Sequence, residues 1–446
     1  MLRVILTALT MTRAGDGLPV KSPTEVGMSS TRLNAIERVV ERGIKAGGYP
    51  GASVIVGRKG AAVFEKGFGK LSWSESSTAV DAQRTIYDIA SLSKVVGTTT
   101  AIMILYDENK IRLDDPVVNY IPTFGGGDKD QVTIRQLLTH TSGLPAGRDI
   151  WRIAQTPLEA RALVLNTPLE GRPGAQYIYS DLGADVLGLL IEVVSGEPLD
   201  KFLTRRVFEP LGMNETMYRP ADSLRYRIAP TEVTPPRGYP LRGEVHDENA
   251  YALGGVAGHA GLFSTAADLS VFAQMMLNGG EYNGVQIISK PTVELFTSRA
   301  FGHRALGWDT AEGDYGSGRY LGPTAYGHTG FTGTSMWIDP EREMFVILLT
   351  NRVHAARALR PAKVISDVRA DLSDAAVLSV LDGPKLTAGS KAFRADREVG
   401  WNPPPRASRR RHGSSRHHSI ASATSKSRSG SAKKSSSGKK KSSKKH

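Results

Sequence analysis

The sequence contains no cysteine, and none of its apolar runs is long enough to cross a membrane. The absence of cysteine excludes disulfide bonds, thiolate metal sites and a cysteine nucleophile. A membrane-spanning helix needs about 18 consecutive apolar residues or more, so no transmembrane segment is predicted. With 446 residues, 40% of them hydrophobic, the chain is long enough to bury a large core.

Acidic residues are absent from the last part of the chain, and this absence explains its net charge. Residues 401–446 carry 14 Lys and Arg side chains and no Asp or Glu, whereas the first 400 residues carry 43 basic and 44 acidic side chains. The formal charge of +13 therefore belongs to the tail and does not indicate a nucleic-acid-binding body.

The tail also lacks aromatic residues after Trp401. From residue 406 onward it is a low-complexity sequence of Ser, Lys, Arg and Gly, which predicts disorder. Because bases stack on aromatic side chains, no specific nucleic-acid partner is predicted. Two interpretations remain open: a solvated extension with no dedicated partner, or a segment that binds an anionic polymer through its charge.

Composition and apolar patterning divide the chain into four segments. Residues 1–24 hold a short apolar run that Arg13 interrupts, with no small-residue cleavage site, so they are a disordered start or a degenerate secretory signal. Residues 25–372 are predicted to form the globular domain. Residues 373–405 are predicted to be a linker, and residues 406–446 the disordered basic tail.

Strand and helix patterns occur at both ends of the predicted domain. An amphipathic helix from Ser29 to Gly43 precedes two strand-like runs around the turn Arg58-Lys59-Gly60. Late in the chain, TSMWIDPE and MFVILLTN are typical of two strands that meet at Asp339-Pro340. A helix followed by a hairpin begins an α+β layer, and the fold class predicted is α+β.

The stretch IASLSKVVGTTTAIMILYDE places Ser91 and Lys94 three positions apart, on one face of a predicted helix. A serine hydroxyl is a poor nucleophile until a neighbouring base takes its proton, and a lysine one turn away can do this if its surroundings keep it neutral. A helix N-terminus at Ser91 would also stabilise developing negative charge. In isolation the same pattern is typical of a helix cap beside a surface lysine.

Further motifs follow in order: LLTHTSGLP with His140, PGAQYIYSDLGA with Tyr179, AGLFSTAADL, and GHTGFTG with His328. With SLSK, this ordered set resembles the penicillin-recognising serine hydrolases, specifically the class C β-lactamase-like group of esterases, D-amino-acid peptidases and penicillin-binding proteins. The resemblance extends over residues 25–372. It implies a mostly antiparallel sheet flanked by N- and C-terminal helices plus a helical region. It also implies no cofactor, no metal, and an envelope, periplasmic or secreted location.

The resemblance assigns catalytic roles to three residues. Ser91 corresponds to the acylated nucleophile, Lys94 to its proton partner, and Tyr179 to the tyrosine that exchanges protons with the nucleophile and the leaving group. Whether Lys94 or Tyr179 is the general base stays open. Because acyl transfer needs a nucleophile, a proton shuttle and an oxyanion site around one carbon, these residue types fit that chemistry.

The resemblance assigns substrate binding to a second set. His328 takes the place of the lysine in the K-T-G of many relatives, and Gly330 ends the resulting H-T-G. The backbone N–H of Phe331 would form the oxyanion hole together with that of Ser91. Asp181 stands where many β-lactamases carry asparagine, and it is expected to pair with Lys94, to bind a substrate ammonium, or to cap its helix.

The aspartate at position 181 and the histidine at position 328 differ from many β-lactamases, and both differences restrict the class of substrate expected. A carboxylate at Asp181 cannot donate a hydrogen bond, and an imidazole at His328 lacks the fixed positive charge that grips a β-lactam carboxylate. The function predicted is therefore a serine hydrolase that acts through an acyl-enzyme on esters or small D-residue-containing peptides, possible fragments of a cell wall. The alternatives are a β-lactamase or D-Ala-D-Ala carboxypeptidase, and an inactive penicillin-binding-fold module tethered to a polyanion by its tail.

Four other features have competing interpretations. His246 and His259 lie near Asp247 in sequence but have no metal-ligand spacing, which favours structural roles. His140 is expected to satisfy a loop, and Arg352 to form a surface salt bridge rather than to bind a substrate carboxylate. The glycine-rich loop 254–261 is either a tight turn or backbone packed beside the site.

Overall fold

The structure is a computed structural model that describes residues 17–311, 316–354, 362–386 and 391–401. Most of the predicted signal-like start and all of the predicted basic tail lie outside these residues. Within the described ranges, no helix has the length and apolarity that a membrane span requires.

Eleven strands are present among the described residues, and six of them form the main sheet in the order β2-β1-β11-β10-β9-β8. All neighbours in this sheet are antiparallel. The remaining strands form a sheet β3-β5-β4 and a hairpin β6-β7. The strands are β1 Gly51–Arg58, β2 Ala61–Gly69, β3 Tyr87–Asp88, β4 Met217–Tyr218, β5 Leu262–Ser264, β6 Glu281–Tyr282, β7 Val285–Gln286, β8 Asp309–Thr310, β9 Tyr326–Thr329, β10 Ser335–Asp339 and β11 Met344–Thr350.

The first hairpin forms where the sequence predicts it. Lys59 and Gly60 connect β1 to β2 with φ angles of 49° and 80°. Two consecutive residues with positive φ are the geometry that matches the twist of a two-residue hairpin. The strand patterns at the two ends of the predicted domain come together in one sheet, because β1 pairs with β11 from Ala52 and Thr350 onward.

Both faces of the main sheet are covered. On β1, Val54 and Val56 belong to the core under the terminal helices, whereas Ile55 between them belongs to the core under the helical region. Successive residues of a strand point to opposite faces, and burying a Val or Ile side chain contributes about 1.5–3 kcal/mol. The sheet is therefore the middle of three layers.

Twelve α-helices lie among the described residues, and two longer turns of π-helix occur at Lys94–Thr99 and Thr204–Phe208. Helices α1, α2 and α12 cover one face of the sheet, and the others build the helical region. The helices are α1 Ser30–Leu33, α2 Ala35–Lys45, α3 Thr100–Asp107, α4 Ile134–Leu138, α5 Pro157–Leu165, α6 Asp181–Ser195, α7 Leu199–Leu203, α8 Glu209–Leu211, α9 Glu248–Ala252, α10 Ala266–Leu277, α11 Lys290–Thr297 and α12 Ala362–Ser379.

Two predicted boundaries need correction. The helix expected from Ser29 to Gly43 is divided at Asn34 into α1 and α2. Packed structure extends beyond residue 372, the predicted end of the domain: α12 continues to Ser379, and Trp401 is buried with its Nε1 donating to Asp367 Oδ2 at 2.8 Å. Much of the segment predicted as a linker thus packs on the terminal helices. The sequence did not predict this because the buried face of α12 past residue 372 consists largely of small residues such as alanine, which give a weak hydrophobic pattern.

Candidate active site

Ser91 follows a strained turn at the end of β3. Ala90 adopts a φ of 48°, a left-handed conformation that costs a non-glycine residue roughly 1–3 kcal/mol. The Asp88 carboxylate stabilises this turn by accepting the Ala90 N–H at 2.8 Å. Helical structure begins directly after Ser91, so the half-buried hydroxyl lies at the start of the helical segment that contains Lys94.

Lys94 begins the π-helical turn, and its buried side chain ends among oxygen atoms. Its Nζ donates to Ser91 Oγ at 2.9 Å and to the carbonyl of His259 at 3.2 Å, and it forms an ion pair with Asp181 Oδ1 at 2.7 Å. An ammonium has three N–H donors, and three acceptors are within reach. The geometry therefore fits a charged lysine.

The surroundings of Lys94 also decide its protonation. Burial by itself would lower the pKa of Lys94, but the Asp181 carboxylate and then the Tyr179 side chain outweigh burial and raise that pKa above its ordinary value. The Nζ atom lies 5.0 Å from the centroid of the Tyr179 ring. Lys94 is thus an ammonium that contacts both the predicted nucleophile and the predicted tyrosine.

Tyr179 is held by His140 on both sides of its backbone. The Nδ1 atom of His140 accepts the N–H of Ser180 at 3.0 Å, and the carbonyl of His140 accepts the N–H of Ile178 at 2.9 Å. The two rings lie 4.6 Å apart. Burial is the main reason that the pKa of His140 falls well below its usual value, which keeps Nδ1 available as an acceptor. His140 does satisfy a loop, and this loop positions Tyr179.

Asp181 is the first residue of α6, but it is not the helix cap. Ser180 has that role, because its Oγ accepts the N–H of Gly183 at 3.1 Å and donates to the carbonyl of Pro145 at 2.6 Å. The Asp181 carboxylate is thereby directed to Lys94. Of the three roles expected for this aspartate, the structure places it in the ion pair with the lysine.

His328 lies on β9, buried, with its ring centroid 6.0 Å from that of Tyr179. Burial is the main reason that the pKa of His328 falls to about 4, and the positive charge of Arg304 lowers it further. A neutral ring has one N–H, and Nδ1 lies 2.8 Å from the carbonyl of Thr329, to which it donates. The Nε2 atom has no hydrogen-bond partner among the described residues.

The turn after β9 is bound to the backbone just before Ser91. Thr332 and Thr334 donate their hydroxyls to the carbonyls of Asp88 and Ile89, at 2.8 and 2.9 Å. A Cβ atom on Gly330 would lie 2.1 Å from Thr334 Oγ1 and 2.5 Å from the Ile89 carbonyl, so only glycine fits. Gly330 therefore permits the close approach that brings this turn to the predicted nucleophile.

Phe331 follows Gly330, and its side chain is half exposed at the site. Its ring stacks on His246 at 5.8 Å between centroids, and the Arg352 guanidinium lies 4.7 Å from the ring centre. Arg352 also donates its Nε N–H to the Phe331 carbonyl at 2.9 Å. Arg352 therefore brings a positive charge to the Phe331 side of the site, and its expected surface salt bridge stays a prediction.

Arg304 and Asp309 are two site neighbours that sequence reasoning missed. The Arg304 guanidinium is buried, forms an ion pair with Asp309, and lies 5.9 Å from the centre of the Tyr179 ring. Burial opposes the charge on Asp309, but Arg304 lowers the pKa of this carboxyl below its usual range. The only signal in the sequence is an arginine at the start of the apolar run RALGW.

The histidines considered as metal ligands contact carboxylates instead. His246 Nε2 lies 2.9 Å from Glu232 Oε1, and His259 Nδ1 lies 2.7 Å from Asp185 Oδ1. The described part of the chain contains no group of three or more His, Cys, Asp or Glu side chains arranged to hold a metal. The glycine-rich loop 254–261 is backbone packed beside the site, since its His259 carbonyl contacts Lys94.

Known proteins are similar to this chain in sequence. Residues 36–369 match the family described as Beta-lactamase. A protein of Escherichia coli strain K12 named "Putative D-alanyl-D-alanine carboxypeptidase" is 33% identical over 397 residues, which cover 80% of this chain and 91% of the relative. A protein of Salmonella agona with the same name is 35% identical over 381 residues, covering 76% and 87%.

Among solved structures, a penicillin-binding protein homologue from Caulobacter crescentus is 22% identical and has a TM-score of 0.62, covering 79% of this chain and 99% of that chain. This likeness confirms the predicted α+β fold, and the family match confirms the resemblance seen in the motifs. The chain belongs to the β-lactamase family and is a serine hydrolase.

Proposed function

We propose that Ser91 is the nucleophile of a hydrolase that acts on small peptides ending in a D-residue and on related esters. The observation that carries the proposal is the 2.9 Å contact between Lys94 Nζ and Ser91 Oγ, with Asp181 and Tyr179 around the same ammonium. The relatives named D-alanyl-D-alanine carboxypeptidases support a peptide substrate with D-residues.

In this proposal Tyr179 is the general base. A charged Lys94 has no lone pair and cannot accept a proton, whereas it can stabilise negative charge on the Tyr179 oxygen. The Ser91 hydroxyl proton passes to Tyr179 as Oγ bonds to the substrate carbonyl carbon. Collapse of the tetrahedral intermediate then breaks the bond to the leaving amine or alcohol, and Tyr179 donates the proton it took from Ser91 to this leaving group.

Hydrolysis of the acyl-enzyme repeats these steps with water. Tyr179 takes a proton from water, the water oxygen bonds to the acyl carbon, and the bond to Ser91 Oγ breaks as the hydroxyl regains a proton. The backbone N–H groups of Ser91 and Phe331 would bind the oxyanion in both halves of the reaction. Losing one donor of such a pair typically slows the reaction by about 10²–10³-fold.

The charges at the site favour a peptide over a β-lactam. His328 is neutral at pH 7, so it cannot replace the lysine that grips a β-lactam carboxylate. Asp181 is engaged by Lys94, so a substrate ammonium is not its expected partner. Arg352, beside Phe331, is the cation placed to attract the terminal carboxylate of a peptide.

The proposal is tested by intact-mass spectrometry after mixing the protein with each of three compounds: a p-nitrophenyl ester, an N-acyl-D-Ala-D-Ala peptide and a cephalosporin. We expect an acyl adduct with the ester and release of D-Ala from the peptide, with Ser91→Ala showing neither. Rapid cephalosporin turnover instead would establish a β-lactamase. Rates equal to those of Ser91→Ala on all three compounds would leave only the inactive binding module.

A further inference from the structure

His259 lies between two carboxylates in the interior of the protein. Its Nδ1 is 2.7 Å from Asp185 Oδ1 and its Nε2 is 2.9 Å from Asp247 Oδ1, and the ring and Asp185 are both buried. A neutral imidazole has one N–H and one lone pair, so one of these contacts would set a lone pair against a carboxylate. Both contacts are hydrogen bonds only when both nitrogens carry protons. Between two ionised carboxylates, the geometry therefore requires an imidazolium.

The backbone of the same residue contacts the catalytic lysine. The His259 carbonyl accepts from Lys94 Nζ at 3.2 Å, while the His259 N–H donates to Asp185 Oδ1 at 3.3 Å. The preceding Gly258 lies directly on α6, since a Cβ atom there would be 1.9 Å from the carbonyl of Ala184. The Thr98 hydroxyl donates to the Gly258 carbonyl at 2.6 Å and joins the loop to the turn that begins at Lys94.

One face of α6 holds both ends of this arrangement. Asp181 and Asp185 are four residues apart, so they lie one turn apart on the same side of the helix. Asp181 contacts the Lys94 ammonium, and Asp185 contacts the ring and the N–H of His259. Helix α6 thus sets the position of Lys94 in two ways. The Asp181 carboxylate pairs with the lysine, and Asp185 holds the loop whose His259 carbonyl is the third acceptor of the lysine.

We propose that His259 is a positioning residue, which as an imidazolium clamped by Asp185 and Asp247 holds its own carbonyl where Lys94 needs an acceptor. The clamp keeps the ammonium directed at Ser91. The other ionisable groups around it are Asp181 on α6 and His246 next to Asp247, together with the Tyr218 phenol of β4, which donates to the Ala257 carbonyl at 3.2 Å.

The clamp has a defined pH dependence. Burial would lower the pKa of His259, but Asp185 and then Asp247 raise it well above the usual value. A raised pKa means that the clamp is intact at low and neutral pH and is lost as pH rises through the folded-state value. Removing one carboxylate lowers that value by about 1–3 units, so the loss moves to lower pH.

Asp247→Asn is the variant that tests this, because asparagine also caps helices and can keep accepting the Ala250 N–H that Asp247 binds at 2.8 Å. In the full-length protein we expect kcat of the variant to be close to wild type at pH 6. Its alkaline decline should begin about 1–3 pH units below that of wild type. The matched control is Asp200→Asn, which removes a carboxylate paired with Arg219 and should leave the profile unchanged.

A loss of kcat by the same factor at every pH between 5.5 and 9.5 would indicate a merely structural role and would overturn the proposal. So would a profile identical to wild type. A second measurement needs no activity: ¹⁵N NMR of the His259 ring, assigned by its disappearance in His259→Gln, should show two protonated nitrogens at pH 7. A neutral tautomer would refute the imidazolium. The kinetic arm rests on the proposed function, whereas the NMR arm can succeed even if Ser91 proves inert toward every substrate tried.

Discussion

The proposed mechanism requires that Lys94 is positively charged, and the Asp181→Asn substitution tests this requirement directly. The variant removes a carboxylate oxygen 2.7 Å from Nζ and leaves an amide of the same shape. Helix α6 keeps its Ser180 cap, so only the favourable charge in its first turn is lost, about 0.3–1 kcal/mol.

The size of the effect follows from burial and distance. At 2.7 Å the pair attracts by roughly 6 kcal/mol with an effective dielectric constant of 20. The Asp181 side chain is 35% exposed, so water screens part of this attraction. A pKa change of about 1–3 units, or about 1.4–4 kcal/mol, is the expected consequence. In the variant only Tyr179 opposes the effect of burial, so the pKa of Lys94 falls below its wild-type value.

The assay is the pH dependence of kcat/KM between pH 6 and 10 for the p-nitrophenyl ester, corrected for the background rate measured with Ser91→Ala. If the ammonium is required and Tyr179 is the base, the variant should be within about tenfold of wild type at pH 6. Above the lowered pKa of Lys94 its activity should fall about tenfold per pH unit. Asp200→Asn serves as the control for loss of a carboxylate elsewhere.

The opposite slope would refute the reasoning. If neutral Lys94 were the general base, deprotonating it would raise kcat/KM of the variant as pH increases, and the variant would overtake wild type at high pH. A flat profile in the variant would show that the charge of Lys94 does not matter. The rising profile would remove Tyr179 from the role of general base, and the flat profile would remove the requirement for a charged Lys94.

Three further predictions concern the rest of the chain. Folding lowers the pKa of buried His328 from 6.5 to about 4, so the free energy of unfolding should fall by up to about 3 kcal/mol as the pH drops through that range. Urea titrations at pH 7 and pH 4 measure this fall, which should be smaller in His328→Gln than in wild type. Gly330→Ala should force Thr334 and the Ile89 carbonyl apart and reduce kcat by tenfold or more, while Gly60→Ala, which meets no atom within 4 Å, changes only stability when both are assayed together. Deleting residues 406–446 should leave turnover of small substrates unchanged and abolish any retention on a heparin column. A collapse of turnover would contradict the prediction that this segment is a disordered tail outside the catalytic domain.

The ordered motifs carried most of the functional prediction. Ser91 and Lys94 are close in sequence, so their contact is a local consequence of helical geometry and could be predicted. Tyr179 and His328 were placed at the site only through the resemblance, because nothing local in their segments determines which residues they meet. The strands of the main sheet were predictable because β1 and β11 are short apolar runs with turn signals between or beside them.

Charge states and long-range partners were beyond the sequence. Asp181 had three expected roles, and the choice among them depends on where Ser180, Pro145 and Lys94 meet in space. The contacts of Arg304 with Tyr179 and of His259 with Asp185 join residues far apart in the chain. Such contacts depend on how whole elements pack, which no local pattern specifies.

The amino-acid sequence by itself determined the fold class, the family and the location of the excess positive charge, and it named the residues proposed to form an acyl-enzyme. Residue type, order and periodicity are local properties, and they suffice for these conclusions. Only the tertiary structure decided that Lys94 is an ammonium and that His328 is neutral. A protonation state depends on burial and on charges within a few ångströms, and these come from segments that meet only when the chain is folded.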